Sequence, residues 1–283
     1  MKVFTSLEEW KRLRPGLTGS LGLVPTMGFL HEGHLSLTRR AVAENDLSVV
    51  WIFVNPKQFG DGADLEAYPR DMERDLALLE AGRVDYVLAP PAGEVYPPDF
   101  QTLVTVEALS KPLEGAGRPG HFQGVATVVA KMISLTQPAR AYFGQKDGQQ
   151  CVVVRRMVAD LSMLTEIVVC PTVRDADGLA LSSRNVRLTP EQRRAAPVLH
   201  RALSAAQETI AAGERNADTV RLKMRAVLDA EPLAHTEYAS LADAESLEEC
   251  GTETGAVTGT VMASLAVRFG EVRLIDNVLI EVD

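Results

Sequence analysis

The chain has 283 residues, of which 46% are hydrophobic and 24% charged, with 29 Lys and Arg against 38 Asp and Glu. This is a core-forming composition, at a length that allows one large domain or two ordinary ones. The net charge of −9 argues against nucleic-acid binding, which normally depends on an excess of Lys and Arg. The longest apolar run, 47–54, is far shorter than the roughly 20 residues of a membrane-spanning helix.

The start of the chain and the cysteines indicate the compartment. Glu8 and Glu9 lie where a secretory signal would have an uninterrupted apolar core. The three cysteines form no C-x-x-C pair, so isolated thiols are favoured over a disulfide framework or a zinc site. We therefore predict a cytoplasmic protein with neither a nucleic-acid nor a membrane partner.

Up to about residue 170, short β-rich runs alternate with longer helical ones, which is typical of βαβ units and a parallel sheet. The run 47–54 is almost continuously apolar and is predicted to be a central strand covered on both faces. The other predicted strands are 20–24, 84–88, 140–143 and 166–169. The predicted helices are 33–44, 70–80, 124–135 and 148–160.

Beyond residue 171 the pattern changes to a polar, irregular stretch followed by helices. Thr189 and Pro190 predict an N-cap and the first position of a helix. Further helices are expected over 195–212 and 217–228, and strands over 258–267 and 272–280. The predicted fold is therefore α/β with a parallel sheet over residues 1–173, plus a smaller C-terminal α+β lid or dimerisation domain over 174–283.

The strongest candidate site is the segment PTMGFLHEGH, which joins the predicted strand 20–24 to the predicted helix 33–44. Gly28 and Gly33 allow the backbone to approach a phosphate at a helix N-terminus. His31 and His34 are one helical turn apart and can donate hydrogen bonds to a triphosphate or a departing pyrophosphate. The alternative is a pair of surface or capping histidines. A zinc site is disfavoured because no further His or Cys lies nearby at metal spacing.

Two further polar segments also follow predicted strands. In NPKQFG, Gln58 offers a donor and an acceptor to a substrate with hydroxyl and carboxylate groups, but a plain Asn-Pro turn explains the segment equally well. In GQKDGQQ, Lys146 can neutralise phosphate and the adjacent glycines allow close approach. A solvated Lys146–Asp147 surface pair is the alternative there.

The fourth segment, DGLALSSRN, lies at the predicted domain boundary. Its two hydroxyls followed by Arg184 are suited to clamp phosphate on a loop, although a polar linker has the same composition. The string GAGRPG matches G-x-G-x-x-G but contains Pro119 and lacks a preceding core strand, so we predict no dinucleotide fingerprint. The chain contains neither a P-loop nor a G-x-S-x-G elbow.

Taken in order, these motifs resemble those of the pantoate–β-alanine ligases, the pantothenate synthetase family. PTMGFLHEGH, FVNPKQF, YPRD, RPGHFQGVATVV, YFGQKD with QQ, and GLALSSRN occur in the family's order between residues 24 and 185. The resemblance implies a Rossmann-like nucleotidyltransferase domain, a homodimer, ATP as co-substrate and Mg²⁺. It also implies a step of coenzyme A biosynthesis: pantoate and β-alanine condense to pantothenate through a pantoyl adenylate, with release of AMP and pyrophosphate.

The resemblance further implies roles for individual residues. His34 is the expected proton donor, and His31 and Lys146 are expected on the phosphates. Gln58 is expected to contact pantoate and later β-alanine, and Gln150 to hold pantoate. Metal ligands are unknown, and Asp75 is the one candidate for an outer Mg²⁺ ligand. The expected ATP-binding residues are Met27, Gly28, Phe29, Leu30, His31, Glu32, Gly33, His34, Gly144, Gln145, Lys146, Asp147, Val173, Leu181, Ser182, Ser183 and Arg184.

Two residues depart from the family pattern. Gly148 replaces an aromatic residue and is expected to loosen the start of its helix, because Gly costs about 1 kcal/mol relative to Ala in a helix interior. Asp71 replaces a Thr. Two other functions stay open at this point: a nucleotidylyltransferase that leaves AMP in its product, and a nucleotide sensor or scaffold without turnover. The intact polar groups, including Gln58 and Gln150, favour the ligase.

Overall fold

The computed structural model of the protein describes residues 1–60, 62–251 and 257–282. The chain divides into two compact units. Unit 1 contains Met1–Gly144 and Gln150–Pro171, and unit 2 contains Gln145–Gln149 and Thr172–Asp283. The predicted α/β class with an additional α+β region is confirmed, whereas the division into domains 1–173 and 174–283 stays a prediction.

Unit 1 is built on a six-stranded parallel sheet of order β1-β4-β3-β2-β5-β6. From β2 the chain adds strands on one side, and it then continues with β5 on the other side. The carboxyl ends of β2 and β5 therefore flank the point at which open parallel sheets bind ligands. The strands are β1 Lys2–Phe4, β2 Leu21–Thr26, β3 Leu47–Ile52, β4 Tyr86–Leu88, β5 Arg140–Gly144 and β6 Glu166–Cys170.

The strand predicted over 47–54 is confirmed as the buried strand β3, although it ends at Ile52. Val49, Val50 and Trp51 are fully buried, as expected for a strand covered by helices on both faces. The helices are α1 Leu7–Leu13, α2 Glu32–Glu44, α3 Gly62–Glu66, α4 Met72–Ala81, α5 Ala92–Val95, α6 Glu114–Gly117, α7 His121–Thr136 and α8 Gly148–Asp160.

Unit 2 contains an antiparallel sheet of order β7-β8-β9 together with three α-helices within its described residues. The predicted N-terminal signal at Thr189 and Pro190 is confirmed, because the Thr189 side chain accepts the Gln192 N–H in a capping box. The helix predicted over 195–212 is confirmed, although it begins at Val198, after Pro197. The elements are α9 Pro190–Ala195, α10 Val198–Ala211, α11 Ala217–Asp229, β7 His235–Asp243, β8 Gly259–Phe269 and β9 Val272–Val282.

The core of unit 2 lies between its sheet and its two longer helices. Leu203 of α10, Met224 of α11 and Leu265 of β8 are all fully buried in one apolar cluster. Across the described parts of both units, no helix is long and apolar enough to cross a membrane.

Candidate active site

The loop that follows β2 makes a sharp turn in unit 1. Gly28 has a φ of 78° and Phe29 a φ of 50°, both in the left-handed region. A Cβ at Gly28 would lie 3.1 Å from both the Asp75 carboxylate and the Ile52 side chain. Because both the backbone conformation and the available space favour a residue without a Cβ, glycine is required here.

The buried carboxylate of Asp75, on α4, holds this loop in place. Its Oδ2 accepts the Phe29 N–H at 2.6 Å and its Oδ1 accepts the Leu30 N–H at 2.7 Å. Burial raises the pKa of Asp75, against the lowering effect of the two N–H bonds. The Arg74 guanidinium lies 5.3 Å from the centre of the Phe29 ring. The loop is therefore attached to α4 both through its backbone and through a side chain.

His31 and His34 form a reciprocal cap at the start of α2. The Nδ1 of His31 accepts the Gly33 N–H at 3.2 Å, and the Nδ1 of His34 accepts the His31 N–H at 3.3 Å. The centres of the two rings are 4.1 Å apart. The structure thus brings the two predicted histidines together at a helix N-terminus, where the helix dipole favours anions.

This cap determines which tautomer each ring adopts. A backbone N–H can only donate, so each Nδ1 must present a lone pair, and a neutral ring then carries its proton on Nε2. The Nε2–H group is a hydrogen-bond donor on the side of the ring opposite the cap. Capping and phosphate binding are therefore compatible functions of the same two side chains.

A buried amide behind β3 fixes the side chain of Gln58. Asn55 is 1% exposed, and its Nδ2 donates to Gln58 Oε1 at 3.0 Å and to the Gly124 carbonyl at 3.1 Å. Its Oδ1 accepts the Lys57 N–H at 3.3 Å and the Tyr96 hydroxyl at 2.9 Å. Burial raises the pKa of the Tyr96 phenol, so this hydroxyl stays protonated and donates. All four hydrogen-bonding positions of the Asn55 amide are used.

The Gln58 side chain also reaches the loop after β2. Its Nε2 donates to the Met27 sulfur at 3.1 Å, which brings two predicted site residues into contact. The main-chain carbonyl oxygen of Gln58 lies 2.8 Å from Nδ1 of His121, and it accepts a hydrogen bond from the Arg118 guanidinium at 3.3 Å. A Cβ at Gly124 would lie 2.3 Å from the Lys57 carbonyl oxygen, so α7 packs directly on this turn. These contacts fix the position of Gln58, whereas its role toward a substrate stays a prediction.

A cleft of about 340 Å³ opens beside the loop that follows β2. Its size is within the range of roughly 300 to 1,000 Å³ that is usual for small-molecule sites. Its walls come from the loops and helix that follow β2, β3 and β4. The lining residues are Met27, Gly28, Phe29, Ile52, Phe53, Val54, Arg70, Asp71, Met72, Asp75, Ala89, Pro90 and Ala92.

The remaining predicted residues of unit 1 lie farther along the sheet. Gly144 is the last residue of β5, the strand that pairs with β2, and its carbonyl accepts from the Cys151 thiol at 3.4 Å. Gln150 is partly exposed on the first turn of α8. Both residues are thus at the carboxyl-end side of β5.

Unit 2 contains two of the predicted phosphate-binding segments. The first is the turn Gln145–Asp147, in which the Lys146 ammonium lies 3.5 Å from the Asp147 carboxylate. The second is a hairpin closed by the Leu181 N–H, which donates to the Val173 carbonyl at 3.0 Å. Two hydroxyl residues follow this hairpin: Ser182, whose oxygen accepts the Arg184 N–H at 3.2 Å, and the buried Ser183.

The structure gives a physical reason for each departure in the sequence motifs. Asp71 is the N-cap of α4 and accepts the Arg74 N–H at 3.1 Å, a function that Thr also performs well. Gly148 begins α8, and a Cβ there would lie 2.8 Å from the Met262 sulfur and 2.9 Å from Asn277 Oδ1. Side chains of β8 and β9 therefore occupy the space that a larger residue at position 148 would need.

Several contributing residues were not identified from the sequence, among them Asn55, Tyr96, Gly124 and His121. The motif RPGHFQG contains both His121 and Gly124 and could have indicated them. A glycine beside polar residues in a helix indicates that another segment packs closely against the helix there. Asp75 was considered only as a metal ligand, whereas both of its oxygens accept backbone N–H groups. Among the residues with described positions, no group of three or more His, Cys, Asp or Glu is arranged to hold a metal ion.

Comparisons with known proteins agree over nearly the whole chain. The profile of the family described as Pantoate-beta-alanine ligase matches residues 2–279. A pantothenate synthetase of Roseiflexus sp. (strain RS-1) is 60% identical over 281 residues, which are 99% of this chain and 100% of that protein. One of Herpetosiphon aurantiacus is 53% identical over 281 residues, with the same coverage.

Solved structures show the same similarity. The crystal structure of pantothenate synthetase from Thermus thermophilus matches with a TM-score of 0.93 at 48% identity, covering 98% of this chain and 99% of that chain. A pantoate–β-alanine ligase from Francisella tularensis, complexed with beta-gamma ATP and beta-alanine, matches with a TM-score of 0.81 at 33% identity. That match covers 99% of this chain and 97% of the other.

Proposed function

Because the chain belongs to the pantoate–β-alanine ligase family, it is an ATP-dependent ligase that joins pantoate to β-alanine, and we propose that it does so through a pantoyl adenylate. The observation that carries this proposal is the His31–His34 cap, which orients two Nε2–H donors at a helix N-terminus in a chain that the family profile matches over residues 2–279. The ATP and beta-alanine in the Francisella relative support the same substrates here.

The first step is adenylation. A carboxylate oxygen of pantoate attacks the α-phosphorus of ATP, and the bond from this phosphorus to the bridging oxygen breaks. Pyrophosphate leaves with that electron pair, and pantoyl adenylate is formed. Negative charge builds up on the phosphate oxygens during the step, so fixed donors and cations lower its barrier.

The second step is aminolysis. The β-alanine amine attacks the acyl carbon of the adenylate, the carbon–oxygen bond breaks, and AMP leaves as the amine loses a proton. Neither step needs a protein nucleophile. The protein must hold two reactants in line, which is worth up to about 7 to 11 kcal/mol in favourable intramolecular reactions.

In unit 1, we assign the donors and the substrate amides. His34 donates to the phosphates as pyrophosphate leaves, and His31 supports it from the adjacent cap position. Gln58, held by Asn55, binds pantoate and then β-alanine, and Gln150 binds pantoate. The loop residues proposed to contact ATP are Met27, Gly28, Phe29, Leu30, Glu32 and Gly33, with Gly144 at the end of β5.

In unit 2, we assign the groups that neutralise phosphate charge. Lys146 and Arg184 supply cations, and the hydroxyls of Ser182 and Ser183 supply hydrogen bonds. The other residues proposed for the ATP site in this unit are Gln145, Asp147, Val173 and Leu181.

Magnesium fits this donor set only as an ion carried by the substrate. Mg²⁺ usually keeps several waters and binds to substrate phosphates, and the described parts of the chain offer no acidic cluster for it. It would add positive charge at the phosphates. We also propose a cytoplasmic homodimer, and sedimentation that shows only monomer at micromolar concentration would contradict the dimer.

The reaction is tested by incubating the purified protein with magnesium ATP, pantoate and β-alanine and following the products by mass spectrometry. We expect equal amounts of pantothenate, AMP and pyrophosphate, and none when any reactant is omitted. AMP retained in the product would indicate a nucleotidylyltransferase instead. ATP binding without release of pyrophosphate under any combination would indicate a sensor.

A further inference from the structure

Two neighbouring polar residues of β9 are almost completely buried in unit 2. Asp276 is 2% exposed and Asn277 is 4% exposed. Burying a polar side chain costs free energy, and hydrogen bonds within the protein usually offset that loss of solvation. Because successive side chains of a strand point to opposite faces, two adjacent residues can contact two different segments of the chain.

Within the described residues, the side chain of Asn277 forms its hydrogen bonds with the turn that carries Lys146. Its Nδ2 donates to the Gln145 carbonyl at 2.8 Å and to the Lys146 carbonyl at 2.9 Å. Its Oδ1 accepts from Nε2 of Gln145 at 2.8 Å. The missing Cβ at Gly148 leaves the space in which this amide lies. Asn277 thus holds the backbone of the residue that carries the Lys146 ammonium.

Asp276 directs its carboxylate to the hairpin that precedes Ser182. The Arg174 guanidinium donates to its two oxygens at 2.5 Å and 3.0 Å. Arg174 also donates to the Gly178 carbonyl at 3.1 Å and is bridged across the hairpin to Ala180. The Arg174–Asp276 ion pair is largely buried, so solvent and salt screen it weakly. This ion pair therefore fixes the hairpin that directly precedes Ser182, Ser183 and Arg184, the residues predicted to bind phosphate.

A neighbour on the same sheet shows that burial alone does not create this arrangement. Ser264 of β8 pairs with Asn277 in register and is equally buried, at 4% exposure. Within the described ranges, its hydroxyl has no hydrogen-bond partner. Burial at this place in the sheet therefore does not by itself produce hydrogen bonds like those of Asp276 and Asn277.

We propose that Asp276 and Asn277 are positioning residues for adenylation: Asn277 sets the position of Lys146, and Asp276 acts through Arg174 on the segment that carries Ser182, Ser183 and Arg184. This inference rests on the proposed function. Cations and donors stabilise charge on the phosphates only when they are aligned beforehand, and a displacement of 1 Å costs on the order of 10²-fold in rate.

The two half-reactions separate this role from a purely structural one. Pyrophosphate leaves in adenylation and is absent from aminolysis, so misalignment of groups that act on the leaving pyrophosphate slows only adenylation. The test variant is Asn277→Asp, which keeps the size of the side chain but cannot donate to the two carbonyls. Ser264→Ala is the matched control because it changes a buried polar group at the paired position.

Single-turnover adenylation with ATP and pantoate should fall by on the order of 10²-fold in Asn277→Asp. Aminolysis of chemically prepared pantoyl adenylate by β-alanine should be unchanged, and Ser264→Ala should be unchanged in both. In a Lys146→Ala background, Asn277→Asp should add little, because coupled residues are not additive. Unchanged adenylation, or equal loss of both half-reactions in a folded variant, would overturn the proposal.

A second variant covers the case in which Asn277→Asp does not fold. Asp276→Asn keeps the shape but removes the charge that pairs with Arg174, and it should give the same selective loss of adenylation. If the wild-type protein makes no pantoyl adenylate, the proposed function fails. ATP affinity then tests the positioning role by itself: either variant should weaken ATP binding, and binding equal to that of Ser264→Ala would refute the role.

Discussion

Units 1 and 2 hold their candidate phosphate-binding segments with opposite kinds of side chain. In unit 1 the Asp75 carboxylate accepts from the backbone N–H groups of Phe29 and Leu30. In unit 2 the Asn277 amide donates to the backbone carbonyls of Gln145 and Lys146. Both anchors are buried and both use up backbone groups. We therefore propose that side chains supply most of the charged and hydroxyl contacts to phosphate: imidazoles in unit 1, cations and hydroxyls in unit 2.

The difference lies in charge. Unit 1 places a buried carboxylate beneath a loop that is proposed to bind an anion, and burial raises the pKa of that carboxylate. The positive end of α2 and the Arg74 guanidinium, 3.8 Å from Asp75, oppose this unfavourable charge. Unit 2 uses a neutral amide beside Lys146. We therefore expect the effect of replacing Asp75 on stability to change with pH more than the effect of replacing Asn277.

The largest effect is expected for His34→Ala in unit 1. Adenylation should fall by on the order of 10²-fold or more, the usual loss when a donor to a charged transition state is removed. Aminolysis of supplied pantoyl adenylate should be affected much less. His235→Ala is the control, because His235 is an exposed imidazole of β7 in the other unit. Near-normal single-turnover adenylation in His34→Ala would refute the role of its imidazole.

Asp75→Asn should give the next largest effect. An amide accepts only one of the two N–H groups and faces the other with a donor, so adenylation should drop by on the order of 10-fold or more. Asp46→Asn is the control, since Asp46 is an exposed carboxylate that also accepts two hydrogen bonds, both from Ser20. Equal activity of the two variants would show that the loop does not need its carboxylate anchor.

The same variant has a pH signature. A folded-state pKa raised by burial means that Asp75 contributes stability that is fully present below its unfolded pKa and is lost as pH rises through the folded pKa. The wild-type advantage in melting temperature over Asp75→Asn should therefore shrink as pH rises from acidic to neutral. An advantage that grows with pH would show that the carboxylate is stabilised as an anion.

Gly124→Ala should reduce both stability and activity in unit 1. The new Cβ would lie 2.3 Å from the Lys57 carbonyl oxygen, so the turn that carries Gln58 must move. We expect a loss of about 1 to 3 kcal/mol in unfolding free energy and weaker pantoate binding. Gly93→Ala is the matched control, because nothing lies within 4 Å of a Cβ there. Urea unfolding and pantoate titration measure the two effects.

The smallest effect is expected for His200→Gln in unit 2. Burial, with a further contribution from Arg174, lowers the pKa of His200 below its ordinary value of 6.5. This histidine therefore contributes stability that is present above that value and is lost as pH falls below it. The denaturant midpoint of the variant should depend less on pH in this range than that of the wild type. The exposed His235→Gln should leave the wild-type pH dependence intact.

Much of the architecture was predictable from sequence patterns. The strand over 47–54 and the alternation of strands with helices predicted the parallel sheet, and the H-x-x-H spacing predicted that His31 and His34 face together. β1 was missed because three residues are too short to show a pattern, and β7 because its polar residues conceal its alternation. The long segments after β4 contain short helices with no periodic signal.

The anchors of the site were beyond sequence reasoning because they join distant residues. Asp75 meets Leu30 across 45 positions, and Tyr96 meets Asn55 across 41. Local patterns carry no information about such pairs. Asn277 bonds to Lys146 across 131 positions, from a region where only strand propensity was visible. The groups expected to touch the ligand were recognisable by their chemistry, whereas the groups that position them became visible only in the fold.

The most direct test of the central claim, activation of pantoate as an adenylate, uses pantoate labelled with oxygen-18 in its carboxylate. The carboxylate oxygen that attacks phosphorus stays with AMP when the amine breaks the carbon–oxygen bond. We predict one labelled oxygen in AMP for each pantothenate formed. Unlabelled AMP, or label that appears in inorganic phosphate together with ADP, would contradict the account.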